Sequence, residues 1–63
     1  MKKVYEDSTT DIFETDTHTF GIIKDNSLKN YYSVSAKEKD KKGKIIATRC
    51  SYEKAMDIIK NYK

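Results

Sequence analysis

The sequence predicts an α+β fold: a small antiparallel sheet of four or five strands in meander order, with one C-terminal helix packed on one face. Three observations lead there. Tyr31 to Lys37 and Lys44 to Cys50 both alternate as strands do, on either side of a turn at Asp40-Lys41-Lys42-Gly43. Ile, Phe and Thr dominate Ile12 to Lys24, where the helix-favouring residues Ala, Leu and Gln are missing. After Ser51 the apolar period lengthens, and Tyr52, Ala55, Met56, Ile59 and Tyr62 follow the spacing of one helical stripe.

In chain order, Lys2 to Tyr5 reads as a short edge strand with Val4 as its inward residue. Ser8-Thr9-Thr10-Asp11 reads as a polar turn, and a single helical turn over Asp11 to Glu14 is the alternative these residues would cap. Ile12 to Lys24 forms a hairpin that reverses near Thr15-Asp16-Thr17. Phe20 and Ile22 then share a face, with Phe13 as the partner across the pair. Gly21 marks a bulge or a close backbone approach. Asp25-Asn26-Ser27 supplies the next turn, through short polar side chains that hydrogen-bond nearby backbone.

For the central hairpin, a three-residue loop at Lys41, Lys42 and Gly43, with Gly left-handed, pairs Asp40 with Lys44. That register sets Ala36 opposite Thr48 and Val34 opposite Cys50. The expected core face is Tyr32, Val34, Ala36, Ile46, Thr48 and Cys50. Tyr31, Ser33, Ser35, Lys37, Lys39, Ile45, Ala47 and Arg49 fall on the other face. Ser51 caps the helix and Glu53 sits near the positive end of its dipole, while Ile58 lies at the margin of the stripe. Lys54, Asp57, Lys60, Asn61 and Lys63 are assigned to water.

At 63 residues the chain is read as a single compact domain, 1–63, with a thin core, because so small a domain buries only about 60% of the surface its unfolded chain exposes. Its two parts differ in charge. Residues 1–26, an acidic β-rich half, hold three basic against six acidic side chains, whereas residues 27–63, the basic hairpin plus helix, hold ten against four. An acidic end and a basic end are expected. One cysteine permits neither an internal disulfide nor a cysteine-based zinc site, and no apolar run matches a signal peptide or a membrane span. The expected location is the cytoplasm, without membrane contact.

Catalysis is not indicated. The lone His18 lacks a second histidine or a cysteine close in sequence, and its plainer role is that of a hairpin residue. Arg49 and the helix start favour a reactive thiolate at Cys50, but the core-face position favours a small buried hydrophobe instead. Glu6, Asp7, Asp11, Glu14 and Asp16 match no calcium-loop spacing and read as a solvated acidic surface, available to a protein partner. Phosphate loops, paired carboxylates and serine-triad signatures are missing too, so no enzyme activity, cofactor or metal is expected.

What remains is a basic constellation: Lys37, Lys39, Lys41, Lys42 and Lys44 around the hairpin tip, with Arg49 and Tyr31 on the open sheet face. Lysines reach phosphates, and an exposed tyrosine beside arginine stacks on bases. Lysine-rich tips also serve solubility and edge protection alone. The order strand, turn, strand, Ser-capped helix over 31–62 resembles the C-terminal half of a double-stranded-RNA-binding domain, and also the small arm domains of tyrosine recombinases. The resemblance is one of element order. The first family has an N-terminal helix where this chain has β-like sequence, and a dense lysine cluster where this chain has Lys54-Ala55, so no residue role is carried over.

The functional expectation is a non-catalytic small binding protein, an inhibitor or adaptor of the phage or mobile-element kind. It would occlude a host macromolecular partner such as a nucleic-acid-handling protein, and the acidic half would imitate a nucleic-acid backbone for a positively charged groove. The alternative is direct nucleic-acid binding through the basic hairpin and open face. A thin core also favours a homodimer, through an edge strand or the open face.

Overall fold

The structure is a computed structural model that describes residues 1–25 and 31–62. The expected turn at Asp25-Asn26-Ser27 lies outside these residues from Asn26 onward, as do Leu28 and Lys63. Five strands, β1 (Lys2–Glu6), β2 (Thr10–Glu14), β3 (His18–Lys24), β4 (Tyr32–Glu38) and β5 (Lys44–Cys50), form one antiparallel sheet in the order β1-β2-β3-β4-β5, and helix α1 (Tyr52–Lys60) packs on one face.

Local chemistry sets each reversal. At the first, the Asp7 carboxylate accepts from the backbone N–H groups of Thr9 (2.8 Å) and Thr10 (2.7 Å), while the Asp7 N–H donates to the Thr10 carbonyl (2.9 Å). The turn therefore precedes Thr10, and Asp11 to Glu14 is strand, not a helical turn. At the second, the Thr15 hydroxyl accepts from the N–H groups of Thr17 and His18, and the Thr15 N–H donates to the His18 carbonyl at 2.9 Å. The reversal at Thr15-Asp16-Thr17 is where the sequence puts it.

The core is built from two lateral rows. Phe13 lies opposite Phe20, which lies opposite Ala36, and the neighbouring row runs Asp11, Ile22, Val34, Ala47. Ala55 and Ile59 close the core from the helix, with Tyr52, Met56, Ile58 and Tyr62 packed around them. Ile22 and Val34 are fully enclosed, and burying each aliphatic side chain contributes roughly 1.5–3 kcal/mol. Ser51 is extended, and its hydroxyl accepts from the Lys54 N–H at 3.1 Å, a cap worth about 1 kcal/mol.

Bulges produce the departures from expectation. Lys3 pairs with Phe13 and Tyr5 with Ile12, so Val4 is an extra residue between them and points outward, 46% exposed rather than inward. In the central hairpin Tyr32 pairs with Cys50, Val34 with Ala47, Ser35 with Ile45 and Ala36 with Lys44. Between the first and third of these pairs β5 carries two extra residues. Ala47 consequently joins Ile46 against the core, and Thr48 is exposed. The loop spans residues 39–43, and its left-handed residue is Asp40 (φ 66°), not Gly43. Arg49 takes the second left-handed conformation (φ 54°), at the bulge where β5 recovers its pairing with Tyr32. Gly21 is a site of close approach without a bulge: a Cβ there would stand 2.8 Å from Ser35 Oγ.

Candidate functional site

A meander places alternate turns at opposite ends of the sheet. The β2–β3 and β4–β5 turns therefore share one end, and direct contacts tie them together. The Lys39 N–H donates to the Thr17 carbonyl (3.2 Å), His18 pairs with Glu38, and Thr19 pairs with Lys37. The end of the helix arrives at the same place, where Tyr62 meets His18 edge-on (5.3 Å between ring centres) and Phe20 likewise (5.5 Å). Lys37, Lys39, Lys41, Lys42 and Lys44 are all exposed here.

On the helix side of this end lies a recess of about 190 Å³, lined by His18, Ala36, Glu38, Lys41, Lys42, Lys44 and Tyr62. Lys41 Nζ is 2.8 Å from Glu38 Oε2, and that hydrogen bond holds the Glu38 carboxyl below the usual carboxylate range and the Lys41 ammonium above its own. The pair is exposed and orders the turn more than it stabilises the fold. Among the described residues neither Lys42 nor Lys44 forms an ion pair, although the charge of Lys44 adds to the lowering of the Glu38 carboxyl, and the two cations border a recess with an aromatic wall. The His18 ring is held by Thr17 Oγ1 at Nδ1 (2.8 Å) and stacks on Phe20. Sequence reasoning placed neither His18 nor Tyr62 in a site. Their meeting depends on where the helix ends over the sheet, and no local pattern records that.

Tyr31 and Arg49 do not join this cluster. Tyr31 precedes β4 and Arg49 lies near the end of β5, about 20 Å of strand away from the tip. The structure thus splits the basic constellation into five tip lysines and two remote residues, and the tyrosine beside the lysines is Tyr62, not Tyr31.

The acidic set is divided as well. Glu14 and Asp16 stand at the basic end, where Glu14 lies across Thr19 from Lys37. Glu6, Asp7 and Asp11 occupy the other end, each with an internal partner. Glu6 faces Lys3 Nζ at 3.5 Å. Asp7 accepts from the Tyr5 hydroxyl (2.6 Å), a bond that lowers the carboxyl pKa and raises that of the phenol. Asp11 accepts from the Tyr52 hydroxyl at 2.8 Å. These three form a recess of about 180 Å³ with Tyr52 and Lys24, but no group of His, Cys, Asp or Glu among the described residues is arranged to hold a metal ion. Cys50 donates its thiol hydrogen to the Tyr32 carbonyl (3.3 Å) and packs beside the core.

Burial first, and then the Asp11 carboxylate, push the Tyr52 phenol up to about 12. The folded state therefore holds this proton more tightly than the unfolded chain, whose phenol ionises near the ordinary value of about 10. The resulting stability is complete below about pH 10 and is lost as the pH rises towards 12. Tyr52→Phe is expected to lower stability at pH 7 by about 1 kcal/mol and to remove that share of the alkaline loss. Urea titrations of both proteins at neutral pH and above pH 10 measure it, and parallel pH dependences would refute it.

Comparison of the chain with known protein families, with curated proteins and with solved structures finds no match.

Proposed function

We propose that the protein is a non-catalytic binding protein that acts by occupying a macromolecular partner, an inhibitor or adaptor of the phage or mobile-element kind. The basic end of the sheet is its docking patch, and an acidic surface of a host protein, such as one that handles nucleic acid, is what it covers. One observation carries this reading: among the described residues Lys42 and Lys44 stand without ion-pair partners around a recess walled by His18 and Tyr62. A recess of that kind accepts a carboxylate or phosphate, and the surrounding lysines steer the approach. The acidic end is the weaker candidate, because Glu6, Asp7 and Asp11 already serve Lys3, Tyr5 and Tyr52.

Direct nucleic-acid binding is the second reading, favoured by the same lysines. Against it stands the separation of Tyr31 and Arg49 from the tip, while the rings at the tip, His18 and Tyr62, are half-buried and packed on each other and on Phe20 instead of forming the exposed stacking platform that sheet-based binders use. Capture from host-cell lysate, with and without nuclease, separates the two. Retention of a specific protein after nuclease treatment is the expected result. Loss of all captured material on nuclease treatment would replace the first reading by the second.

A further inference from the structure

Among the described residues, none covers the sheet face turned away from the helix. The pairing places three lateral rows on it: Lys2, Glu14, Thr19, Lys37; then Tyr5, Ile12, Gly21, Ser35, Ile45; then Thr10, Ile23, Ser33. The middle row contains no charged side chain. Ile12 and Ser35 lean over Gly21 from both sides, within 3.5 Å and 2.8 Å of where a Cβ would be, so the centre of the face is low. Tyr5 (52% exposed) and Ile45 (57%) stand at its flanks, and Ile23 is exposed beside it.

We infer that this face is covered by a second copy of the chain, related by a two-fold axis that lies between the sheets and runs across the strands. Three features choose that occupant. First, such an axis turns the partner end for end, bringing the basic end of one copy over the acidic end of the other. The charged row of Lys2, Glu14 and Lys37 then meets the row of Thr10, Ile23 and Ser33, which carries no charge on β2, β3 or β4. Second, five strands about 4.8 Å apart and about 20 Å long give a footprint of roughly 500 Å² before side-chain relief is counted. This approaches the ~600–1,000 Å² that a specific interface takes from each partner. Third, the sheet edges are poor alternatives. β1 is interrupted at Val4 between Lys3 and Tyr5, and β5 is bulged twice and carries Arg49, so neither edge offers a long flat strand for pairing.

This dimer does not depend on the docking patch proposed above, because the recess at Lys42 and Lys44 opens on the helix side. Sedimentation of the whole chain from micromolar to millimolar concentration tests it, together with Ile45→Lys, Ile23→Lys and Lys54→Ala, each first checked by circular dichroism. Wild type is expected to move towards twice the monomer mass. Each isoleucine substitution enters the interface twice and should weaken association tenfold or more, whereas Lys54→Ala, on the exposed side of the helix, should leave it unchanged. A wild-type monomer at millimolar concentration, or a dimer indifferent to both isoleucine substitutions, would overturn the inference. A monomer that captures a foreign protein and loses it on Ile45→Lys would also overturn it, by assigning the face to that protein.

Discussion

Replacing Phe20 by Ala is expected to leave the chain largely unfolded at 25 °C. Phe20 is 2% exposed and sits in the middle of the row that links Phe13 to Ala36, with the His18 ring stacked on it and Tyr62 edge-on. Removing a buried phenylalanine costs about 3–5 kcal/mol, because lost transfer energy and the cavity add. A core from a chain this short supplies only about 3–5 kcal/mol of net stability, so one substitution consumes it. Ile23→Ala is the control: Ile23 follows Ile22 on the same strand but faces the open side, and its loss should cost less than about 1 kcal/mol. Urea titration followed by circular dichroism compares the two. A Phe20→Ala protein that kept a cooperative transition within about 1 kcal/mol of wild type would disprove the core assignment.

The same row shows what could be read from the sequence. The hairpin from Ile12 to Lys24 follows its pattern because its strands run without a bulge, so alternation carries the register from Phe13–Phe20 outward, and Thr15 fixes the turn. The helix is legible for a similar reason, since its period and its serine cap are both local. The central hairpin is not. Alternation predicts one face for Thr48 and the other for Ala47, yet bulges in β5 reverse both and bring Ala47 against the core. Val4 fails in the same way at the opposite edge. As for the site, the tip lysines are adjacent in sequence and were found together. Alternation assigns Tyr31 and Arg49 to the open face of the same hairpin, but it does not measure distance along the strands, and in an extended hairpin the base and the tip are far apart.

The combined charge reversal Lys42→Glu, Lys44→Glu is expected to weaken partner binding on the order of 100-fold while leaving the fold intact. Both lysines are exposed and have no ion-pair partner among the described residues, so neither substitution opens a cavity or strands a buried charge. At the docking patch each reversal replaces an attraction by a repulsion. With about 0.2–1 kcal/mol for an exposed ion pair, two such replacements together are worth roughly 1–4 kcal/mol. Most of the loss should appear in the association rate and shrink at high salt, because exposed charges act chiefly by steering. Glu53→Lys, at the far end of the molecule, should change little. If the ligand proves to be nucleic acid, removing two phosphate contacts should flatten the log–log salt slope by about 0.9 each on duplex, or about 0.7 each on a single strand. Tyr31→Ala should then leave affinity and slope alike, since Tyr31 lies a strand's length from the tip. The opposite pattern, with Tyr31→Ala disrupting binding and the double reversal harmless, would move the working surface to the other end of the sheet.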